Sequence, residues 1–397
     1  MSRIGTADNG DGLRVRTRAG ADQRTVATRA HENAANPLPG TEVTRVFRKQ
    51  KSVVGLDIGS SAVKAVELKP TAKDFRVAAF GIEPVPADAI VDGAIIDATA
   101  VANSIRRIFE RGSFKTKEVC ASLSGSAVIV KKITLPVMTE TELHESIYWE
   151  AEQYIPFDIQ DVNLDYQILD PGTGPDSRGS MEVLLVAAKK EKIGDYTGVI
   201  AQAGRTPVIV DVDAFALQNA YEVNYGFDSK QVVVLLNAGA SAININILQG
   251  EQSVFARDVS MGGNTYTEAV QKELDLPFEA AEQLKKGIPV DGATFEEAQP
   301  VLRAVTENVL LEIQKTFDFF KASASSDHID RIIISGGASR VDGFREMLEE
   351  RFGTPVEEFD PFKAVAWDPG KLGSDSADHA ATAAVAVGLA LRKVGDR

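Results

Sequence analysis

The chain has 397 residues, 44% of them hydrophobic and 25% charged, enough to bury a large core and suggesting two or more domains. Its net charge of −14 is unevenly spread: residues 1–51 hold ten Lys and Arg against five Asp and Glu, so the remainder is strongly acidic. An acidic body excludes a general nucleic-acid binder, whose affinity comes from clustered Lys and Arg; a lone Cys120 excludes an intrachain disulfide or a thiolate metal site and fits a reducing cytoplasm.

Residues 1–50 show no helical or strand period and are expected to form a disordered basic extension. No stretch approaches about 18 uninterrupted apolar residues, so no membrane-crossing helix is expected. Order begins at Ser52-Val53-Val54-Gly55-Leu56-Asp57, which enters a glycine turn and returns through Ala62-Val63-Lys64-Ala65-Val66. Val128–Ile133 reads as a strand. Thr139–Tyr154 reads as a helix that Thr139 and Glu142 open with a capping box. A Gly/Pro-rich loop over 171–180 precedes a buried strand at Val183–Ala188 and a helix from Lys190 that Gly204 closes.

The opening hairpin then returns. Val232–Asn237 turns through Ala238-Gly239-Ala240-Ser241 into Ile243-Asn244-Ile245-Asn246-Ile247, with Asn237 180 residues after Asp57. Two copies of one polar hairpin, half a chain apart, predict two related lobes facing each other across a cleft. Helices are expected at about 264–274, 278–286 and 294–321, then a strand at Ile332–Ile334 running into Ser335-Gly336-Gly337, and a last helix over His379–Arg392. This order of strands and helices is α/β.

A nucleoside triphosphate brings about four negative charges, so its site needs backbone N–H donors, a cation, and carboxylates that hold Mg²⁺ through water. In the first hairpin Asp57 can hold a hydrated Mg²⁺, Gly59 lets the backbone approach, Ser60 and Ser61 donate, and Lys64 supplies the cation. Asn237, Gly239, Ala240 and Ser241 repeat the pattern, and Gly336 and Gly337 sit where a strand gives way to a helix, a usual place for backbone to touch a nucleotide. Neither a P-loop nor a dinucleotide fingerprint occurs, so phosphate binding would have to use the hairpins.

Taken in order, these elements resemble the actin, heat-shock chaperone and FtsA superfamily over roughly residues 52–392. Asp57–Lys64 is similar to its first phosphate motif and Asn237–Ser241 to its second. The stretch Glu282-x-x-Lys285-Lys286 resembles the helix that holds ribose and adenine, and Gly336, Gly337 and Arg340 resemble the adenosine motif. Asp213 falls where relatives carry a residue that positions the attacking water. Within the superfamily the likeness is nearest to the PilM family of type IV pilus assembly, carried by Val54–Lys64, Tyr148-Trp149-Glu150-Ala151-Glu152-Gln153-Tyr154-Ile155-Pro156-Phe157, Arg257-Asp258 with Gly262-Gly263-Asn264, and Ala386–Arg392.

The resemblance implies an actin-like fold, duplicated and ribonuclease H-like, with two lobes around a nucleotide cleft. Residues 51–84, 181–213 and 365–397 would form one lobe, 85–180 an inserted subdomain of the FtsA and PilM type, 214–265 and 325–364 the other lobe, and 266–324 a helical subdomain. It implies ATP and Mg²⁺ as ligands and the cytoplasmic tail of a PilN-type inner-membrane protein as partner, with Trp149, Tyr154 and Phe157 as apolar contact candidates, each with core packing as an alternative use. Other components of the assembly platform would also be partners, self-association is open, and the membrane is reached only through a partner. The departure is Asn237, where most active relatives keep an aspartate. It predicts at most slow hydrolysis, which Asn237→Asp should raise if the missing charge is limiting. Two alternatives share the fold: a sugar- or acetate-kinase-like phosphotransferase with Asp213 as base, and an FtsA-like division filament protein.

Overall fold

The computed structural model describes residues 52–72, 74–174, 179–323, 328–368 and 380–395, so the N-terminal extension and His379 lie outside the described residues. The chain opens with β1 (Val54–Ile58), β2 (Ala62–Pro70), β3 (Phe75–Pro84), the short pair β4 (Ile90–Val91) and β5 (Ala94–Ile95), α1 (Ala98–Arg111) and β6 (Glu118–Leu123). It continues with β7 (Val128–Pro136), α2 (Glu140–Glu152), β8 (Val162–Asp170), β9 (Ser180–Lys189), α3 (Lys190–Gln202), β10 (Thr206–Val212) and α4 (Asp213–Tyr225). The second half holds β11 (Val232–Ala238), β12 (Ile243–Gln249), β13 (Gln252–Val259), α5 (Gly263–Leu274), α6 (Phe278–Lys285) and α7 (Phe295–Ser323). It closes with β14 (Arg331–Ser335), α8 (Phe344–Phe352), β15 (Val356–Glu358) and α9 (Ala384–Ala390).

Two five-stranded sheets repeat one topology. The first has the order β10-β6-β1-β2-β3 and the second β15-β14-β11-β12-β13. In each, a hairpin of two long strands continues antiparallel into a third strand on one side, while two parallel strands extend the other side. The duplication expected from the two hairpins therefore extends to whole sheets. Parallel partners need crossover connections. Here α1 brings the chain from β3 to β6, and α5, α6 and α7 bring it from β13 to β14.

Each sheet buries one face against its own helices. Val54, Leu56 and Val63 pack with Ile105 and Ile108 of α1 and Ile200 of α3; Val234, Leu236 and Ile245 pack with Val309 and Ile313 of α7. The opposite faces share a core in which Val66 and Leu68 of the first sheet and Val233, Leu235 and Ile333 of the second meet Leu217, Tyr221, Ala386 and Val387 of α4 and α9. The approach of α9 is closest at Gly388, where an added Cβ would stand 1.7 Å from the carbonyl oxygen of Ala216 in α4. Only glycine fits such a crossing. Arg392, just past α9, forms a buried ion pair at 2.8 Å with Asp211 of β10, which anchors the end of the chain to the first sheet.

The third sheet, β7-β9-β8, is antiparallel and covered by α2, with Leu143, Ile147 and Ala151 packed on Ile133, Val183 and Leu185. The capping box is present: Glu142 N–H donates to Thr139 Oγ1 and Thr139 N–H to Glu142 Oε2. The boundaries of this subdomain differ from the predicted 85–180. β6 is a strand of the first sheet and α1 packs against that sheet, while β9, assigned from the sequence to that lobe, is the central strand of the third. A run of apolar residues says that a strand is buried without saying in which sheet. The last helix is shorter than expected, with a 3₁₀ turn over Ala380–Ala383 ahead of α9.

Candidate functional site

The tips of the two hairpins touch. Ser60 and Ser241 share a hydrogen bond between their hydroxyl groups at 2.8 Å, across 181 residues of sequence. Each tip is closed by the same bond, Gly59 N–H to Ala62 O at 3.1 Å and Gly239 N–H to Ala242 O at 2.9 Å. The glycine amides, expected to face a ligand, are thus used inside the turns. The next amides in each turn, at Ser60 and Ser61 and at Ala240 and Ser241, make no backbone hydrogen bond among the described residues.

Asp57 and Lys64 are register partners on β1 and β2 and form an ion pair at 2.8 Å, each side chain about 15% exposed. Lys64 therefore answers Asp57, and its Nζ stands 3.4 Å from where a Cβ on Gly59 would be. The corresponding pair in the second hairpin is neutral. Asn237 Nδ2 donates to Asn244 Oδ1 at 3.1 Å, and Ser335 Oγ donates to Asn237 Oδ1 at 3.2 Å.

Asp213 opens α4 beside the first hairpin, where Ser122 of β6 donates to its carboxylate. Burial pushes its carboxyl up to about 6; Asp57 adds to the rise, hydrogen bonds from Ser122 and Ser124 hold it back, and Asp258 adds again. Opposite it, burial draws the Lys192 ammonium down, against the pull of Asp213, Asp258 and Asp195. Asp57, Asp258 and Lys192 thus all lie within electrostatic reach of Asp213.

The remaining predicted elements converge on the second hairpin. Gly263 N–H donates to Gly239 O and Asn264 N–H to Ala240 O, so the start of α5 is clamped to that turn. Lys285 of α6 reaches the same place, donating to Gly263 O at 3.0 Å and Thr267 Oγ1 at 2.9 Å and pairing with Glu282. Burial acts to raise the Glu282 carboxyl, but Lys285, Lys286 and Thr267 outweigh it and hold it below the usual range. Lys286 pairs with Glu282 from an exposed position. A Cβ on Gly263 would lie 3.4 Å from Lys285 Nζ, 3.7 Å from Ala240 Cα and 3.7 Å from Ala338 Cβ, which brings the second hairpin, the Glu282/Lys285 helix and the third glycine turn together.

Gly336 has φ +88°, and a Cβ there would stand 2.3 Å from Ala238 O, so the turn lies flat against β11. At Gly337 the same construction meets nothing within 4 Å. The segment after Gly336 is a 3₁₀ turn, Gly337–Arg340, which precedes α8, and Arg340 is exposed. Of the apolar candidates near α2, Trp149 is 75% exposed and plays no part in the core, while Tyr154 and Phe157 are partly buried beneath Lys131 and Lys189. Two surface cavities of about 440 and 310 Å³ lie away from the hairpins.

Reading the sequence missed Ser122, Lys192 and Asn244, and it quoted Asp258 without a role. The available signal was the alternation Ile243-Asn244-Ile245-Asn246-Ile247, which puts both amides on one face of a strand that leaves the second turn.

The model of the family described as type IV pilus assembly protein PilM matches residues 55–394. The chain belongs to that family. A solved structure described as the PilM-PilN type IV pilus biogenesis complex superposes with a TM-score of 0.76 at 29% identity, covering 87% of this chain and 99% of that one. The ethanolamine utilization protein EutJ of Carboxydothermus hydrogenoformans superposes with a TM-score of 0.51 at 17% identity over 90% of this chain and 91% of its own. The cell division protein FtsA of Streptococcus pneumoniae is 23% identical over 77% of this chain and 75% of its own length. FtsA of Bacillus subtilis is 22% identical over 62% of this chain, a match that spans 59% of the Bacillus protein. The fold of this family member is accordingly the actin-like one, α/β with two lobes of equal topology about a cleft and an inserted three-stranded subdomain. No helix among the described residues is long and apolar enough to cross a membrane.

Proposed function

We propose that this chain is the cytoplasmic, ATP-binding, actin-like component of the type IV pilus inner-membrane assembly platform, and that it grips the cytoplasmic tail of a PilN-type membrane protein with an affinity set by nucleotide. The observation that carries the nucleotide half is the 2.8 Å contact between Ser60 and Ser241, because it brings two amide-rich turns to one point. The partner half is supported by membership of the PilM family and by likeness to a PilM captured in complex with PilN.

The residues fit the ligand. The amides of Ser60, Ser61, Ala240 and Ser241, which make no backbone hydrogen bond among the described residues, would serve as anion donors, Lys64 would supply a cation, and Asp57 would hold Mg²⁺ through water. Glu282 and Lys285 would meet the ribose, and the space beside Gly337 leaves room for a base, with Arg340 at its rim. Mg²⁺ would supply charge neutralisation for the phosphates.

Because the serine hydroxyls are in contact, phosphates can enter only if the lobes part. Binding then separates the two turns and draws Lys64 off Asp57. That gives nucleotide a mechanical handle on the rest of the molecule: motion of one lobe against the other changes the seat of the three-stranded sheet, which packs on β13. An extended tail would lie beside that sheet, where Tyr148 and Trp149 are exposed. Asp213 would orient a water, and with an amide at 237 turnover should be slow.

Calorimetry of MgATP with and without a PilN-type tail peptide tests the reading. The expected result is ATP binding that the peptide alters, with a reciprocal effect of ATP on the peptide. Failure of the full chain to bind MgATP at millimolar concentration, with or without peptide, would sink it.

A further inference from the structure

The second sheet carries a row of four polar side chains that runs beyond the hairpin. Ser335, Asn237, Asn244 and Asp258 are register partners across β14, β11, β12 and β13. Ser335 donates to Asn237, Asn237 Nδ2 to Asn244 Oδ1 at 3.1 Å, and Asn244 Nδ2 to Asp258 Oδ1 at 2.8 Å. The other carboxylate oxygen of Asp258 accepts the backbone N–H of Gly125.

Gly125 belongs to the connection between β6 and β7, the strand by which the chain enters the three-stranded subdomain. The same connection is tied down by Lys192 Nζ on Ser124 O and by Lys189 N–H on Ala127 O. The row therefore begins at the second hairpin and ends, across the cleft, on the neck of the inserted subdomain.

The row also has a direction. An ionised carboxylate only accepts hydrogen bonds, whereas an amide has one accepting and one donating end. Asn244 must turn its NH₂ to Asp258, so its carbonyl faces residue 237, and a carbonyl needs a donor there. An ionised aspartate at 237 cannot donate. The inserted amide is the residue that the row requires.

We propose that Asn237, Asn244 and Asp258 are positioning residues of a polarity-fixed relay, which couples the second hairpin to the neck of the three-stranded subdomain and requires an amide at 237. The coupling rests on the function proposed above; the polarity does not.

A charge swap tests it in the full chain. In Asn237→Asp, Asn244 lies between two carboxylates, one of which meets its carbonyl, and the melting temperature without nucleotide should fall by about 1–4 °C. Asp258→Asn alone should be near neutral, because every amide in the row can reverse and the Ser335 hydroxyl serves as donor or acceptor. In the double variant the new amide at 258 donates to Asn244, which turns its NH₂ to the new carboxylate at 237, and most of the lost stability should return.

The second readout is the ratio of tail-peptide affinities with and without MgATP. It should fall toward one in Asn237→Asp and recover in the double variant, which a purely structural lesion elsewhere would not produce. Asn237→Asp that is as stable as the wild type, or a double variant worse than either single one, would overturn the polarity. A wild type whose peptide affinity ignores ATP would remove the coupling together with the proposed function, and the three melting temperatures would then decide the relay alone.

Discussion

The two hairpin turns have the same backbone and opposite electrostatics. Both close with a glycine amide on the carbonyl three residues later, and both offer serine hydroxyls at the tip. Where the first places Asp57 against Lys64, the second places Asn237 against Asn244. Duplication preserved what the backbone needs while the side chains diverged. Under the proposed function the charged pair would trade its partners for a metal and a phosphate; the amide pair is instead wired sideways along its sheet to Asp258. Equal shape does not mean equal role, since the shape comes from the turn and the role from the side chains of the flanking strands.

The difference can be broken open experimentally, beginning with two glycine turns, one against the second hairpin and one at the neck of the three-stranded subdomain. Gly336→Ala combines a left-handed φ with a Cβ 2.3 Å from Ala238 O and should cost about 3–4 kcal/mol by chemical denaturation. Gly125→Ala, also at positive φ but with only the end of the Lys192 side chain near its Cβ, at 4.0 Å, should cost only about 1 kcal/mol. Equal costs would mean that the close approach of Gly336 to β11 adds nothing to the backbone strain. The charged pair is next. Asp57→Ala should weaken MgATP binding by about 100-fold, and Asn237→Ala by about tenfold, since charge-assisted contacts are roughly twice as strong as neutral ones. Titration calorimetry reads both, and a reversed order would assign the metal to the wrong hairpin.

A smaller effect distinguishes the lobes by pH. The Asp213 carboxyl titrates at about 6 in the folded protein against 3.8 when free, so between those values the folded state holds a proton that the unfolded state has released. Stability conferred by that proton is complete at low pH and is lost as pH rises through the folded value. Asp213→Asn should therefore gain on the wild type from about pH 4 to pH 7, by about 1–2 kcal/mol once the open mouth of the cleft is allowed for. Unfolding midpoints across that range check it; a constant difference would place the titration elsewhere. The smallest effect belongs to the contact between the tips. Ser60→Ala and Ser241→Ala should each cost about 0.5–1 kcal/mol or less, and by the same amount, because they remove the same bond.

The repeated hairpins, the capping box of α2 and the order of α/β elements were legible because they depend on neighbours in the chain. A turn needs its glycine within a few residues, and a cap needs its Glu three positions on. What escaped was lateral. No local signal says that β9 leaves one lobe to become the middle strand of another sheet, or that α1 and β6, which carry no motif, complete the first one. The role of Asn237 escaped for the same reason: its partner Asn244 is set by strand register, and Asp258 by the next strand over.

The sequence by itself therefore determined which residues sit at the two turns, several of the helices and strands around them, and that the hairpin repeats, since these follow from periodicity, glycine placement and short-range capping. Only the tertiary structure decided that Ser60 meets Ser241, that Lys285 reaches the second turn, and that an amide at 237 is tied to a carboxylate two strands away. Such contacts join groups far apart along the chain, and their geometry exists only after the sheets have chosen their register and the helices between them have brought the lobes together.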